Sequence, residues 1–345
     1  MPPKKRPTHR DVAQLAGVSP GVVSYVINNG PRPTSQQVRE RVLRAIDELG
    51  YRPNALGRNL RNQRTNTIGY IFSDYNPRSV FTSSYSATIL AGIVDEVKAR
   101  ERYLMVYPVG IGEDLSQLEQ LVTSGLLDSV VVRLAQDPPD TNPLLAVISD
   151  SGLPCVCIER PCDPQFRFPS VTYDDAGGAY AATRYLVAQG HRRIAHLRGD
   201  LHYPSARLRL QGYKQALIEA QLPIDEQLIY GNSWTPKEAA EGVKHFLDNP
   251  DPPTAIFAAN DDFAFVAIEI LREKGYRIPS DVAVIGFDDI LMAQEMTPAL
   301  TSVRIPLLEL GRQVVDIVLH QTSNPEERFG RTIILPVELI RRGTA

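Results

Sequence analysis

From Asn66 to the C-terminus, short apolar runs alternate with longer amphipathic stretches, and this alternation limits the choice of fold more than any other sequence feature. Strands separated by helices pair in parallel, and nearly continuous apolar strands require helices on both faces of the sheet. We therefore predict a doubly wound α/β architecture. The strand candidates are 67–72, 103–107, 129–134, 154–158, 193–197, 254–258 and 282–287.

Repetition of this unit over residues 66–345 exceeds what one hydrophobic core comfortably holds, so the pattern predicts two lobes. We expect the chain to pass between the lobes near residues 158–173. Two late segments, 300–305 and 332–340, have strand character although the second lobe should already be complete there. The chain is therefore expected to exchange between the lobes again near its C-terminus.

Charge is distributed unevenly along the chain. The net charge is −3, but residues 1–65 hold 12 Lys and Arg against 4 Asp and Glu, whereas residues 66–345 hold 25 against 36. Such asymmetry says more about partners than the total charge does. Only the first segment is suited to a polyanion.

The three cysteines, Cys155, Cys157 and Cys162, lie within eight residues. An odd number in a chain of this length argues against a secreted disulfide framework and indicates a reducing compartment. The spacing is compatible with a metal site, but two of the cysteines alternate within an apolar run, where buried strand cysteines are commoner. We predict neither a metal nor a cofactor.

No apolar stretch approaches the roughly 18 residues needed to span a bilayer. The basic N-terminus is followed by a polar segment with helical patterning rather than by the apolar core of a signal peptide. We expect a cytoplasmic protein with no membrane partner.

Residues 8–50 have the pattern of three short helices with recognisable N-cap signals. A tight turn at residues 17–19 separates the first two helices, and this geometry lets the second helix enter a DNA major groove. The cap pairs are Thr8 with Asp11, Thr34 with Gln37, and Ser19 with Pro20 at the first helical position. The expected core is Val12, Ala13, Leu15, Ala16, Val18, Val23, Val26 and Ile27, and the outward residues are Pro20, Gly21, Ser24, Tyr25 and Asn28. The third helix should bury an apolar face made of Val38, Val42, Ile46 and Leu49, and Leu43 should extend this face.

Residues 51–65 contain four arginines and no acidic residue. A solvated basic linker explains this composition. Leu56 and Leu60, four residues apart, are equally consistent with a marginal helix.

Several motifs, in this order and spacing, resemble those of the LacI/GalR family of transcriptional regulators. They are the helix-turn-helix segment, Tyr51-Arg52-Pro53-Asn54, Gly190-His191-Arg192-Arg193-Ile194-Ala195, Arg209-Leu210-Gln211-Gly212-Tyr213, Ala259-Asn260-Asp261 and Gly286-Phe287-Asp288-Asp289. The resemblance implies a small all-α DNA-binding head (1–50), a hinge helix or linker (51–65), and a two-lobed, type I periplasmic-binding-protein-like domain for effector binding and dimerisation (66–345).

The resemblance also implies DNA contacts. Thr8 and Ser19 would contact phosphates and Asn28 the backbone or a base, with Arg32 and Asn54 as further contacts; the groove-facing set would be Pro20, Gly21, Val22, Ser24 and Tyr25. Family members frequently have Arg in place of Tyr25, which lacks the paired donors that Arg offers to guanine. The operator preference therefore cannot be transferred from other members.

In the hinge, the resemblance places Leu60 as a wedge in the minor groove, with Arg58 and Arg61 on the phosphates. Gly57 stands where the family usually has Ala, and this weakens an isolated helix by about 1 kcal/mol. We expect the hinge to depend on DNA and dimerisation for its order.

In the two-lobed domain, the family pattern directs six residues into a cleft between the lobes: Arg209, Asn260, Asp288, Trp234, Glu159 and Arg133. Fixed polar groups against an aromatic face suit a hydroxylated ring. Ordinary capping and surface pairing are the alternative roles, and for Arg133 that of a solvent-facing loop arginine. If Arg133 and Arg209 both faced the cleft, their positive charge would favour an anionic effector, such as a sugar acid or sugar phosphate.

These observations predict a transcriptional regulator, expected to repress, that binds a pseudo-palindromic operator as a homodimer or higher oligomer and responds to a sugar or sugar derivative. An enzyme is the main rival class, because doubly wound sheets host many activities. The sequence lacks the phosphate-cradling, nucleophile-elbow and metal-spacing motifs of such enzymes. A transport binding protein would have an export signal and no basic head.

Overall fold

The computed structural model describes residues 7–28, 34–52, 64–74, 78–134, 143–161, 165–324, 326 and 330–345. The chain divides into two compact units, Met1–Thr65 and Asn66–Ala345.

The first unit contains three helices: α1 (His9–Ala16), α2 (Pro20–Asn28) and α3 (Gln36–Leu49). Thr8 and Asp11 form the predicted capping box, and Gly17 ends α1 in the left-handed conformation at φ 64°. The predicted cap of α3 is wrong by one residue. Ser35, not Thr34, accepts the hydrogen bond, at 3.4 Å from the Val38 N–H.

The core of this unit differs from the prediction at its edges. Leu15 and Leu43 were expected to be buried, but they are 46% and 49% exposed because both lie on outer helix faces. Tyr51, assigned to the linker, is buried in the head core, and its ring lies tilted against His9 with 5.4 Å between the ring centres. The buried residues are Val12, Ala13, Ala16, Val23, Val26, Val42, Ala45 and Tyr51.

The second unit is built on two six-stranded sheets, as the α/β pattern predicts. The first comprises β1 (Thr67–Asp74), β2 (Tyr103–Gly110), β3 (Ser129–Leu134), β4 (Cys155–Ile158), β5 (Ser170–Tyr173) and β11 (Thr332–Leu335). The second comprises β6 (Ile194–Leu197), β7 (Ile229–Tyr230), β8 (Ala255–Ala258), β9 (Ala283–Asp288), β10 (Thr301–Arg304) and β12 (Glu338–Ile340). The first sheet has the order β11-β5-β4-β3-β1-β2 and the second the order β12-β10-β9-β8-β6-β7.

Helices connect most of these strands, and all strand pairs are parallel except β10 with β12. A lobe is defined here as one sheet with the helices packed on it. The helices are α4 (Ser79–Thr82), α5 (Ser84–Ala99), α6 (Ser116–Thr123), α7 (Pro143–Ser151), α8 (Asp175–Ala188), α9 (Pro204–Glu219), α10 (Pro236–Leu247), α11 (Asp261–Glu273), α12 (Leu291–Glu295) and α13 (Leu307–Ser323).

The predicted late exchange between lobes is confirmed, with one refinement. After β10 of the second sheet, α13 packs against β3, β4 and β5 of the first sheet. The segment 332–340, expected to be one strand, forms β11 in the first sheet and β12 in the second. The first passage between lobes lies later than 158–173, because β5 still belongs to the first sheet.

The sequence pattern missed β5 and β7, which are four and two residues long. Cys155 and Cys157 are buried in β4, as the strand interpretation predicts, and Cys162 lies outside the described residues. Within the described part of the chain, no helix is both long enough and apolar enough to span a membrane.

Candidate functional site

A cavity of about 490 Å³ lies in the second unit and brings together all six residues that the sequence predicted for effector binding. Such a volume is within the range of small-molecule sites. The predicted residues are Arg133, Glu159, Arg209, Trp234, Asn260 and Asp288, and the cavity is also lined by Asp74, Ser83, Tyr85, Ser86, Leu134, Tyr173, Asp200, Tyr203, Pro204, Ser205, Ser233, Thr235 and Asp262.

Strand ends position most of the polar groups. Arg133 lies near the end of β3, Glu159 directly follows β4, Asn260 follows β8 and Asp288 ends β9. In parallel α/β sheets, ligands bind beyond the carboxyl ends of the strands. Both sheets therefore present their functional edges to the same cavity.

A hydrogen-bonded cluster forms the cavity wall of the first lobe. The Arg133 Nε–H donates to Glu159 Oε2 at 2.8 Å and its Nη1 donates to Ser86 Oγ at 3.2 Å. The Tyr85 hydroxyl donates to Glu159 Oε1 at 2.7 Å and lies 2.5 Å from the Tyr173 hydroxyl. Glu159 thus accepts a hydrogen bond at both carboxylate oxygens.

Arg209 organises the wall of the second lobe. Its Nε–H donates to Asp175 Oδ1 at 2.7 Å, and its Nη1 donates to the Ala259 carbonyl and lies 3.5 Å from Asp288 Oδ1. The guanidinium carbon stands 3.8 Å from the centre of the Phe287 ring. Arg209 is almost completely buried, so these contacts replace its hydration.

These pairings remove the basis for an anionic effector. Arg133 and Arg209 both line the cavity, as that expectation requires, but neither contributes unpaired positive charge. Glu159 neutralises Arg133, while Asp175 and Asp288 accompany Arg209. Arg133 is also not a solvent-facing loop residue, because it is buried within β3.

Asp288 is a buried acidic residue of the cavity with an unusual backbone conformation. Its backbone has φ 115°, a conformation that L-residues rarely adopt. Burial raises its pKa well above the ordinary value, although Arg209 opposes the shift. Its Oδ1 atom is buried without a hydrogen-bond donor among the described residues. A ligand hydroxyl could satisfy this atom.

The neighbouring Asp175 also shows the effect of burial, which raises its pKa to about 6 against the opposing influence of Arg209. This residue begins α8 and is not in the cavity lining. Asp175 therefore holds the Arg209 guanidinium in place without lining the cavity itself.

Trp234 and Asn260 complete the second-lobe wall. The Trp234 ring packs edge-on against Tyr203 at 5.8 Å between ring centres, and its Nε1 is buried without an acceptor among the described residues. Asn260 caps α11 by accepting the Phe263 N–H at Oδ1, 2.8 Å away. This cap leaves the Asn260 amide NH₂ as a donor for a ligand.

Sequence reasoning missed Tyr85, Tyr173 and Asp175. Tyr173 and Asp175 lie at the passage between lobes, where no periodic pattern marks them. Tyr85 is near the start of an ordinary amphipathic helix. Only the tertiary fold brings these residues to Glu159 and Arg209.

In the head, the predicted DNA-binding residues occupy different environments. Thr8, Ser19, Pro20 and Gly21 are exposed, Ser24 and Tyr25 are half-buried, and Val22 packs partly against the head core. Thr8 also serves the α1 cap. The Asn28 side chain and the predicted residues Arg32, Asn54, Arg58, Leu60 and Arg61 lie outside the described residues.

A two-sheet α/β unit with a cavity at its strand ends, in one chain with a helix-turn-helix head, defines a class of ligand-responsive DNA-binding regulators. Residues 8–54 match bacterial regulatory proteins of the lacI family, and residues 183–345 match a periplasmic binding protein-like domain. The chain belongs to the LacI family.

Curated relatives agree over nearly the whole length. The chain is 34% identical over 331 residues to the HTH-type transcriptional regulator CelR of Thermobifida fusca, covering 94% of this chain and 96% of the relative. It is 31% identical over 343 residues to the HTH-type transcriptional repressor CytR of Escherichia coli (strain K12), covering 98% and 96%. The chain is thus a DNA-binding transcriptional regulator and not an enzyme.

Solved structures support the same assignment. The Lac repressor dimer bound to operator and the anti-inducer ONPF matches with a TM-score of 0.84 at 27% identity and covers 99% of both chains. The complex of the transcriptional regulator CelR with cellobiose matches with a TM-score of 0.74 at 32% identity, covering 99% of this chain and 100% of the other.

Proposed function

We propose that this regulator represses transcription in the cytoplasm by binding a pseudo-palindromic operator as a homodimer, and that a sugar or sugar derivative in the cavity controls operator affinity. The observation that carries this proposal is the convergence of Arg209, Asn260, Asp288 and Trp234 on one cavity. A donor amide, an acceptor carboxylate and an aromatic face together suit a ring that carries hydroxyl groups.

The head supplies the DNA contacts in this proposal. Its exposed N-cap hydroxyls, Thr8 and Ser19, suit phosphates, and the first turns of α2 suit base edges. One head reads only a short half-site, so specificity requires two heads related by a two-fold axis. The dimeric Lac repressor–operator complex supports this arrangement.

The effector is expected to act through differential binding. A ligand that contacts both cavity walls favours one arrangement of the lobes, and the preferred arrangement alters operator affinity. The CelR–cellobiose complex supports a sugar as the ligand.

The proposal is tested with the full chain and an operator selected from a random DNA library. Thermal-shift screening over neutral sugars, sugar acids, sugar phosphates and nucleosides identifies ligands that raise the melting temperature. Those ligands are then added to operator-binding assays. We expect at least one sugar to change operator affinity.

Asp288→Asn should abolish this response but retain operator binding, because the variant removes an acceptor from the cavity alone. The control is Glu119→Gln, which also removes one carboxylate charge but does so at an exposed position of the first lobe. An operator affinity that no stabilising sugar alters would contradict the proposal.

A further inference from the structure

The cavity lining has more acidic than basic side chains. The carboxylates are Asp74, Glu159, Asp200, Asp262 and Asp288, whereas the guanidinium groups are Arg133 and Arg209. Each guanidinium already has a carboxylate partner within the chain. An anion that entered the cavity would meet no uncompensated cation among the described lining residues.

The Arg133–Glu159 ion pair is buried so deeply that a ligand cannot easily take the place of either partner. Their side chains are only 11% and 12% exposed, and the charged atoms are 2.8 Å apart. An anionic ligand that drew Arg133 away would leave the Glu159 carboxylate buried without its counter-ion. Breaking a buried ion pair in this way is strongly unfavourable.

The position of Glu159 is fixed on several sides. Its backbone adopts the left-handed conformation at φ 65°, and its N–H donates to the Val171 carbonyl at 2.9 Å. Tyr85 occupies one carboxylate oxygen, and Tyr173 lies against the Tyr85 hydroxyl. The carboxylate therefore stays beside Arg133 instead of turning toward solvent.

We propose that Glu159, held by Tyr85 and Tyr173, determines ligand specificity by cancelling the charge of Arg133, so that the cavity selects a neutral ligand and rejects one carrying a carboxylate or phosphate. This inference rests on the proposed function, because it assigns the chemical class of the effector. It also gives Glu159 a positioning and screening role within the cleft in which the family resemblance places it.

Trp234 permits a test that does not require the natural effector. It is the single tryptophan of the chain and lines the cavity, so tryptophan fluorescence reports on this site alone. The full-length protein is titrated with iodide, caesium and acrylamide at constant ionic strength, and each quenching constant is divided by the constant that the same quencher has with free N-acetyltryptophanamide, which removes the intrinsic difference between the quenchers. We expect caesium to quench the wild type more effectively than iodide, because carboxylates outnumber guanidinium groups.

Two variants should shift quenching in opposite directions. Glu159→Gln exposes the charge of Arg133 and should raise normalised iodide quenching at least about two-fold. Arg133→Gln exposes the charge of Glu159 and should raise caesium quenching instead. Glu119→Gln, outside the cavity, should match the wild type. A residue that only supports the fold would not produce this reversal of sign, and melting curves identify any variant that is unfolded.

Direct binding completes the test with glucose, glucuronate and inorganic phosphate as probes. Phosphate also binds basic surfaces and stabilises folded proteins in general, so its effect is compared between variants. Phosphate should raise the melting temperature of Glu159→Gln more than that of the wild type or of Glu119→Gln, and glucuronate should stabilise the wild type no more than glucose does. Stabilisation of the wild type by glucuronate beyond that by glucose, or equal iodide quenching in the wild type and Glu159→Gln, would overturn the inference. If no sugar alters operator affinity, the proposed function fails, whereas the quenching comparison still measures the charge selectivity of the cavity.

Discussion

At the scale of single residues, the site depends on side chains whose contacts leave little freedom. Trp234 lies so close to Gly199 that a Cβ atom there would overlap the indole ring. Asp288 is held by an unusual backbone conformation at the end of β9. The positions of these groups are therefore set before a ligand arrives, which reduces the ordering cost of binding.

Gly199→Ala tests the close approach to Trp234. The added methyl group must displace the ring, so the fluorescence maximum should move and sugar affinity should fall about ten-fold, equivalent to about 1.4 kcal/mol. Emission spectra and calorimetric titration measure both effects. An unchanged spectrum would show that the ring does not lie against residue 199.

Tyr25→Ala tests base reading by the head. The phenol offers a hydroxyl and a ring face to the groove, so its loss should change the preferred base at one half-site position by about 1–3 kcal/mol. Binding to a library of half-site variants gives the preference. Uniform weakening over all sequences would instead identify Tyr25 as a backbone contact.

At the scale of elements, close helix crossings hold each lobe together. Gly92 on α5 and Gly311 on α13 lie at one such crossing, where a Cβ on Gly92 would overlap the Leu308 carbonyl oxygen. In the other lobe, Gly212 on α9 lies against Ala176 of α8 in the same manner. Backbone atoms cannot yield as flexible side chains can, so these glycines fix the distances between helices.

Gly92→Ala should destabilise the second unit by about 1–3 kcal/mol, despite the better helix propensity of alanine, because the methyl group overpacks the crossing. Chemical denaturation provides the measurement. Ala91→Ser, on the exposed face of the same helix, should change stability by less than about 1 kcal/mol. A Gly92→Ala variant as stable as the wild type would show that α5 and α13 can separate at no cost.

At the scale of the whole molecule, the uneven distribution of charge determines how operator affinity responds to salt, and the buried carboxyl groups determine how stability responds to pH. The basic residues are concentrated in residues 1–65, whereas the second unit buries several carboxylates. Asp261 is one of these, and it accepts hydrogen bonds from Ser302 Oγ at 2.5 Å and from the Ile290 N–H at 2.9 Å. Burial raises its pKa to about 7.

A raised carboxyl pKa makes the native state bind a proton that the unfolded state has released. The contribution of Asp261 to stability is therefore present below the unfolded pKa near 4 and is lost as the pH rises through about 7. Asp261→Asn should flatten the fall in melting temperature between pH 5 and pH 8. If wild type and variant have parallel pH profiles, Asp261 does not titrate in this range.

Operator affinity should fall steeply with salt, because neutralisation of phosphates by the basic head releases counterions. Anisotropy titrations between 50 and 200 mM salt should show at least about a 10³-fold loss if six or more phosphates are contacted. A flat salt response would exclude the basic head as the main DNA contact.

Local patterns in the sequence were sufficient to predict the class of fold and the main chemical groups of the site. Apolar runs of strand length separated by helical patterns require parallel sheets. The strands predicted from these runs coincide with β1, β3 and β9 almost residue for residue. The capping box at Thr8 and Asp11 was equally readable, because it involves residues three apart. Resemblance to a family then located six of the residues that line the cavity.

How the charges pair, and which sheet each short strand joins, depend on contacts between residues that are distant in the sequence. Arg133 and Glu159 are 26 residues apart, and Tyr85 lies 74 residues from Glu159, so no local pattern could reveal that they neutralise and fix one another. The segment 332–340 has continuous strand character in the sequence, and only the pairing of β11 with β5 and of β12 with β10 shows that it is divided between the two sheets. Sequence periodicity records which residues are buried, whereas the charge presented to a ligand depends on which buried groups meet after the chain has crossed between its lobes.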